Sequence, residues 1–123
     1  MSKIHSVFTF IILALLIFSL NAQEVDVTGD WELTMETRRG EMTRDINFVQ
    51  EGENLTVTME GRGGEVTGEG TIKGNDIEWT ITRSTPRGEM TMTYTGKVDG
   101  DTMSGEVQLG DFGSATWKAV RKQ

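Results

Sequence analysis

The stretch WELTME, Trp31 to Glu36, alternates apolar and polar residues with a period of two. Trp31, Leu33 and Met35 fall on one side, and Glu32, Thr34 and Glu36 on the other. Successive side chains of an extended chain face opposite ways, so the segment reads as a strand with one buried face. A turn signal, RRG, follows, and then a second alternating run with Met42, Ile46 and Phe48 on one face. The peptide RGEMT spans this turn at Arg39–Thr43 and recurs at Arg87–Thr91; a looser copy, RGGEVT, stands at Arg62–Thr67. Glu41, Glu65 and Glu89 are evenly spaced, each after an Arg and a Gly, which makes one hairpin the repeated unit.

The alternation continues outward from this hairpin. Leu55, Val57 and Met59 share a face, as do Val66 and Ile72, with Gly68 and Gly70 between them. Ile77, Trp79 and Ile81 follow, then Met90, Met92, Tyr94 and Val98, then Met103, Val107 and Leu109, and last Ala115, Trp117 and Ala119. The opposite faces are mostly Thr, Glu, Ser and Lys, and β-branched Thr suits a solvated strand face. EGEN, GRGG, KGND, TPRG, VDGD and GDFG punctuate the remaining boundaries. Strands joined by such short turns are antiparallel neighbours, and no segment after the N-terminal apolar run has helical periodicity. The sequence predicts an all-β domain of eight antiparallel strands in up-and-down order. A flat sheet of this kind leaves two edges and a face uncovered; closure into a barrel removes both problems.

The N-terminus is of another kind. Lys3 precedes the apolar run VFTFIILALLIFSL, and NAQ follows. This reads as a signal peptide over residues 1–22, cleaved after Ala22, and assigns the chain to the periplasm or the extracellular space. The run is short for a spanning helix and no basic cluster follows it, so no membrane span is expected in residues 23–123, which form one domain. Removing residues 1–22 removes one of the 12 basic residues, Lys3, and none of the 19 acidic ones, so the formal charge moves from −7 to −8. An acidic balance argues against nucleic acid as a partner.

There is no Cys, and the single His, His5, lies in the leader. The domain thus has no thiol nucleophile, no imidazole base and no soft metal ligand. The carboxylates Glu36 and Glu41 fall on the outer face. No enzymatic activity, metal or cofactor is expected. The acidic turns around Asp76, Asp99 and Asp101 lack the spacing of a calcium loop and read as solvated.

Two residues break the apolar inward phase: Arg44 and Arg83. A buried guanidinium needs a partner. A ligand carboxylate or sulfate is one candidate, held by charge-assisted bonds with help from the Tyr94 hydroxyl; a bulge at Arg44 or solvent contact at the rim for Arg83 is the other. Met42, Met59 and Met90 fall at the same end, and flexible Met side chains adapt to varied apolar shapes. These six residues form the expected ligand site. Arg39, Arg62 and Arg87 are each expected to pair with the Glu across their own hairpin. The inward glycines Gly68, Gly70, Gly96 and Gly105 either leave cavity volume or let the strands coil.

The two ends of the domain carry a family resemblance. GDW, Gly29–Trp31, and WKAVRK, which places Arg121 in the inward phase of the last strand, resemble the G-x-W signature of lipocalins and related calycin barrels. The stretches GEGTIKG and YTGKVDGDTMSGE resemble small secreted bacterial lipocalin-like domains. The resemblance implies that Trp31 lies across the closed end of the barrel with Arg121 packed on it, a pairing that cation–π attraction favours. It differs in having no disulfide and no helix after the barrel. The expected function is a binding barrel for a small apolar, anionic ligand; the alternative is a packed barrel whose loops, with Phe112 as anchor, dock a protein partner. Because no metal is expected, a chelator should leave the melting temperature unchanged in a thermal scan; a drop of several degrees would locate a metal in the acidic turns.

Overall fold

Alternation along each strand becomes alternation between core and solvent. In the computed structural model, which describes residues 25–61 and 63–123, the chain forms eight strands. They are β1 (Gly29–Thr37), β2 (Gly40–Glu51), β3 (Asn54–Gly61), β4 (Gly64–Lys73), β5 (Asp76–Thr85), β6 (Gly88–Asp99), β7 (Thr102–Leu109) and β8 (Ser114–Arg121). Each pairs antiparallel with the next, and β1 pairs with β8, so the meander closes into a barrel. The signal-peptide assignment falls on residues 1–22, outside the described residues, as does Arg62.

The repeat is larger than a single hairpin. Gly40, Glu51, Asn54 and Gly61 bound elements of the first half; Gly88, Asp99, Thr102 and Leu109, each 48 positions later, bound elements of the second. The tips of β1–β2 and β5–β6 are built alike. Thr37 Oγ1 donates to the Gly40 carbonyl at 2.8 Å and accepts from the Arg39 amide at 3.2 Å; Thr85 Oγ1 makes the same two bonds with Gly88, at 2.6 Å, and Arg87, at 3.2 Å. Behind each tip a Thr pair faces across the strands, Thr34 with Thr43 and Thr82 with Thr91. The β3–β4 tip differs, closing through a Gly63 amide to Gly61 carbonyl bond. Two half-barrels, rather than four hairpins, are the better unit of repetition.

The expected Arg–Glu pairs across the tips are not formed among the described residues; the ion pairs are Lys97–Asp76, Arg121–Asp101 and Lys122–Asp45. Register explains this. Glu41 stands opposite Glu36, Glu65 opposite Glu60, and Glu89 opposite Ser84, while Arg39 and Arg87 occupy the turns themselves.

The inward glycines serve coiling rather than cavity volume. Gly96 and Gly105 are cross-strand partners. A Cβ on Gly105 would stand 1.9 Å from the Thr95 carbonyl oxygen, and one on Gly96 would stand 2.7 Å from the Trp117 ring. Gly68 and Gly70 bring β4 against β5 in the same way. The space so gained is filled by aromatic rings. Trp79 and Tyr94 stack with centroids 4.7 Å apart, and Phe48 and Trp117 meet Trp79 edge-on, each at 5.1 Å. This cluster fills the middle of the barrel, and such pairs contribute about 0.5–1.5 kcal/mol each beyond their buried area.

The closed end is locked by the segment before β1. Val27 is fully buried there and accepts the Trp31 indole N–H at 2.9 Å. The Gln50 side chain bonds both the Val27 amide and the Val25 carbonyl. Trp31 and Arg121 are cross-strand partners, with the guanidinium carbon 4.6 Å from the indole centroid. The same guanidinium donates to the carbonyls of Asp26 and Thr28 and to the Asp101 carboxylate. Gly29 sits at φ +132°, where a side chain is strained. Trp31→Ala should cost about 3–5 kcal/mol, and Arg121→Ala less. A double-mutant cycle by denaturant unfolding should return a coupling of about 1 kcal/mol or more; strict additivity would show that the stack contributes nothing of its own.

Candidate ligand-binding site

The end opposite Trp31 is less tightly paired. The β2–β3 ladder stops at Ile46–Met59, and the β4–β5 ladder begins only at Glu69–Thr80. The β1–β2 hairpin therefore rises past the tip of β3, and above Glu69 and Thr80 strands β4 and β5 part without pairing. Above the aromatic floor, the inward residues Met35, Arg44, Val66, Arg83, Met90, Leu109 and Ala115 are half-buried, whereas those below are buried. These partly exposed side chains, over a floor that includes Tyr94, make up the cup at the mouth of the barrel.

Arg44 lies in an unbroken ladder from Met42 to Phe48, opposite Leu33, so no bulge turns it outward. Arg83 lies opposite Met90 on the β5–β6 arm. Neither makes a salt bridge among the described residues. Met59 is buried, Met90 is half-buried, and Met42 is 41% exposed. Met42 stands at the rim because the β1–β2 arm rises past the end of the β2–β3 ladder, leaving no wall beside it. Phe112, in the turn between β7 and β8, is 70% exposed.

The polar atoms of the cup are unbalanced. Three buried ones, Tyr94 Oη, Arg83 Nε and Trp79 Nε1, have no hydrogen-bond partner among the described residues. Arg Nε and indole Nε1 can only donate. Every described Asp and Glu side chain is exposed, so the interior holds donors and cations but no carboxylate. Burial pushes the Tyr94 phenol up to about 12, against the smaller opposing influence of the Arg83 and Arg44 charges. Both guanidinium groups therefore act on the same hydroxyl.

Other surfaces are less suited. A groove of about 250 Å³ on the outer wall is lined by Asp30, Asp45, Asn47, Thr58, Glu60 and Glu65, all outward-facing strand residues, with Lys122 after β8 and an edge of buried Ile46. No group of three or more His, Cys, Asp or Glu is placed to hold a metal ion among the described residues. Glu36 and Glu41 are exposed and face each other in register. Two residues of the cup escaped sequence reasoning. Trp79 reads simply as a core aromatic, and Gly61, beside Arg83, reads simply as part of a turn. No protein-family model matches the chain, and no curated protein matches it.

The orphaned hydroxyl gives a direct test. A buried unsatisfied polar group costs roughly 1–3 kcal/mol, so Tyr94→Phe should stabilise the ligand-free protein by about 1 kcal/mol, or roughly 4–8 °C in melting temperature. In the wild type, the unfolded phenol ionises near 10 and the folded one at about 12. The Tyr94 contribution is thus complete below pH 10 and is lost as pH rises toward 12. Alkaline unfolding curves of wild type and Tyr94→Phe should diverge in that window, and parallel curves would show the phenol to be solvated.

Proposed function

We propose that this protein is a non-enzymatic, exported binding barrel that holds a small amphipathic anion in its open half. One observation carries the reading: a buried hydroxyl and a buried guanidinium N–H lack acceptors in an interior that contains no carboxylate. An anionic ligand would supply the missing acceptor, and a charge-assisted bond to a desolvated guanidinium is among the stronger polar contacts. Met59, Met90 and, at the rim, Met42 would line its apolar part. Export is supported by the apolar run after Lys3. Kinship with lipocalin-like barrels is supported by the closed meander and by the Trp31–Arg121 stack at its closed end.

A protein-docking role draws support from a different observation, the exposure of Phe112 at the mouth. Aromatic rings fill the middle of the barrel, which suits a short ligand better than a long one.

Octanoate and octanol share a chain and differ in charge. The barrel should bind octanoate more tightly, by about tenfold or more, in a titration followed by tryptophan fluorescence. Arg83→Ala should erase the preference and leave weak apolar binding. Equal affinity would remove the anion from the reading; no saturable binding of either would transfer the function to Phe112 and the loops.

A further inference from the structure

The two arginines of the cup act on one hydroxyl, that of Tyr94, and Gly61 makes room for Arg83. Two positions above the last β2–β3 pair, Ile46–Met59, stand Arg44 on β2 and Gly61 on β3. The Arg83 guanidinium reaches the same place from β5: a Cβ on Gly61 would lie 2.7 Å from Arg83 Nη2 and 3.2 Å from its Cζ. Gly61 is not in the left-handed region, so its backbone does not demand glycine. The space a side chain would take is filled instead by the Arg83 guanidinium. Arg44 and Arg83 thus both lie in the inward phase at the mouth, on the strands that flank β3–β4, both act on the Tyr94 hydroxyl, and no described carboxylate enters the interior with them.

Two like charges brought together in a partly desolvated site repel each other, and one carboxylate neutralises only one of them. A tetrahedral dianion offers two charges and three acceptor oxygens, enough to bridge both guanidinium groups and still reach the Tyr94 hydroxyl. We propose that the ligand of this barrel is a phosphate monoester with an apolar body, its phosphate bridging Arg44 and Arg83 over Gly61. This rests on the anion-binding reading above and narrows it from any anion to a doubly charged one.

Octyl phosphate and octyl sulfate have the same chain and the same tetrahedral head, and at pH 8 differ by one charge. Calorimetric titration of the full barrel at physiological salt should show octyl phosphate binding about tenfold more tightly or better. Arg44→Ala and Arg83→Ala should each bring octyl phosphate down to the level of the sulfate. Gly61→Ala supplies a variant that keeps both charges: only the flexible end of Arg83 must give way, so the melting temperature should hold while the phosphate preference falls. Inorganic phosphate should compete with octyl phosphate only at much higher concentration. Equal binding of the two octyl probes, with both tighter than octanol, would overturn the dianion and leave the anion barrel standing. Inorganic phosphate binding as tightly as octyl phosphate would assign the site to the free ion and overturn the apolar body. No binding of either octyl probe would overturn both readings.

Discussion

Closure between β1 and β8 is the constraint on which everything else depends. A meander has two free edges until its first and last strands meet, and here they meet through six register pairs, Trp31–Arg121 to Glu36–Thr116. The lowest of these pairs is also the cation–π contact. Arg121 ties three parts of the chain to one point: its own strand, the Asp101 turn and the carbonyls of the segment before β1. A long-range contact of this kind gives back the entropy of closing the longest loop in the molecule. With the bottom fixed, the opposite end can leave ladders incomplete without opening the barrel.

Most of the fold was legible in the sequence because it depends on local period. WELTME and its counterparts specify which residues face inward, and turns such as KGND and VDGD specify that neighbours are antiparallel. Closure follows from the cost of open edges. The 48-residue half-repeat was less visible. The evenly spaced Glu41, Glu65 and Glu89 suggested a hairpin repeat, while the shared design lies in the Thr37 and Thr85 turns, whose hydrogen bonds are set by backbone geometry.

The candidate site was legible in part. The inward phase of Arg44 and Arg83 needs only their sequence neighbours to be read. Height in the barrel and proximity across it need the ladders. That Met42 reaches the rim follows from where the β2–β3 ladder ends, and that Arg83 lies on Gly61 follows from how strongly the strands coil. The inward glycines posed the same difficulty. Close approach and empty volume leave the same residue in the sequence; only the Thr95 carbonyl, lying where a Gly105 side chain would be, separates them.

The half-repeat also determines how charge is distributed around the mouth. At corresponding positions the two copies exchange residues: Met35 matches Arg83, and Arg44 matches Met92. Had both copies kept their arginine on the same strand, the two charges would sit on opposite walls of a pseudo-symmetric ring. The exchange instead puts them on β2 and β5, the two strands that flank the β3–β4 hairpin. Of the rest of the half-buried rim, Val66 lies on β4 between the two arginine strands, and Met35, Met90, Leu109 and Ala115, all uncharged, lie on β1, β6, β7 and β8. A scaffold built of two similar halves thus carries a mouth with a charged side and an oily side. An amphipathic anion of the kind proposed would be oriented there by charge on one side and apolar contact on the other.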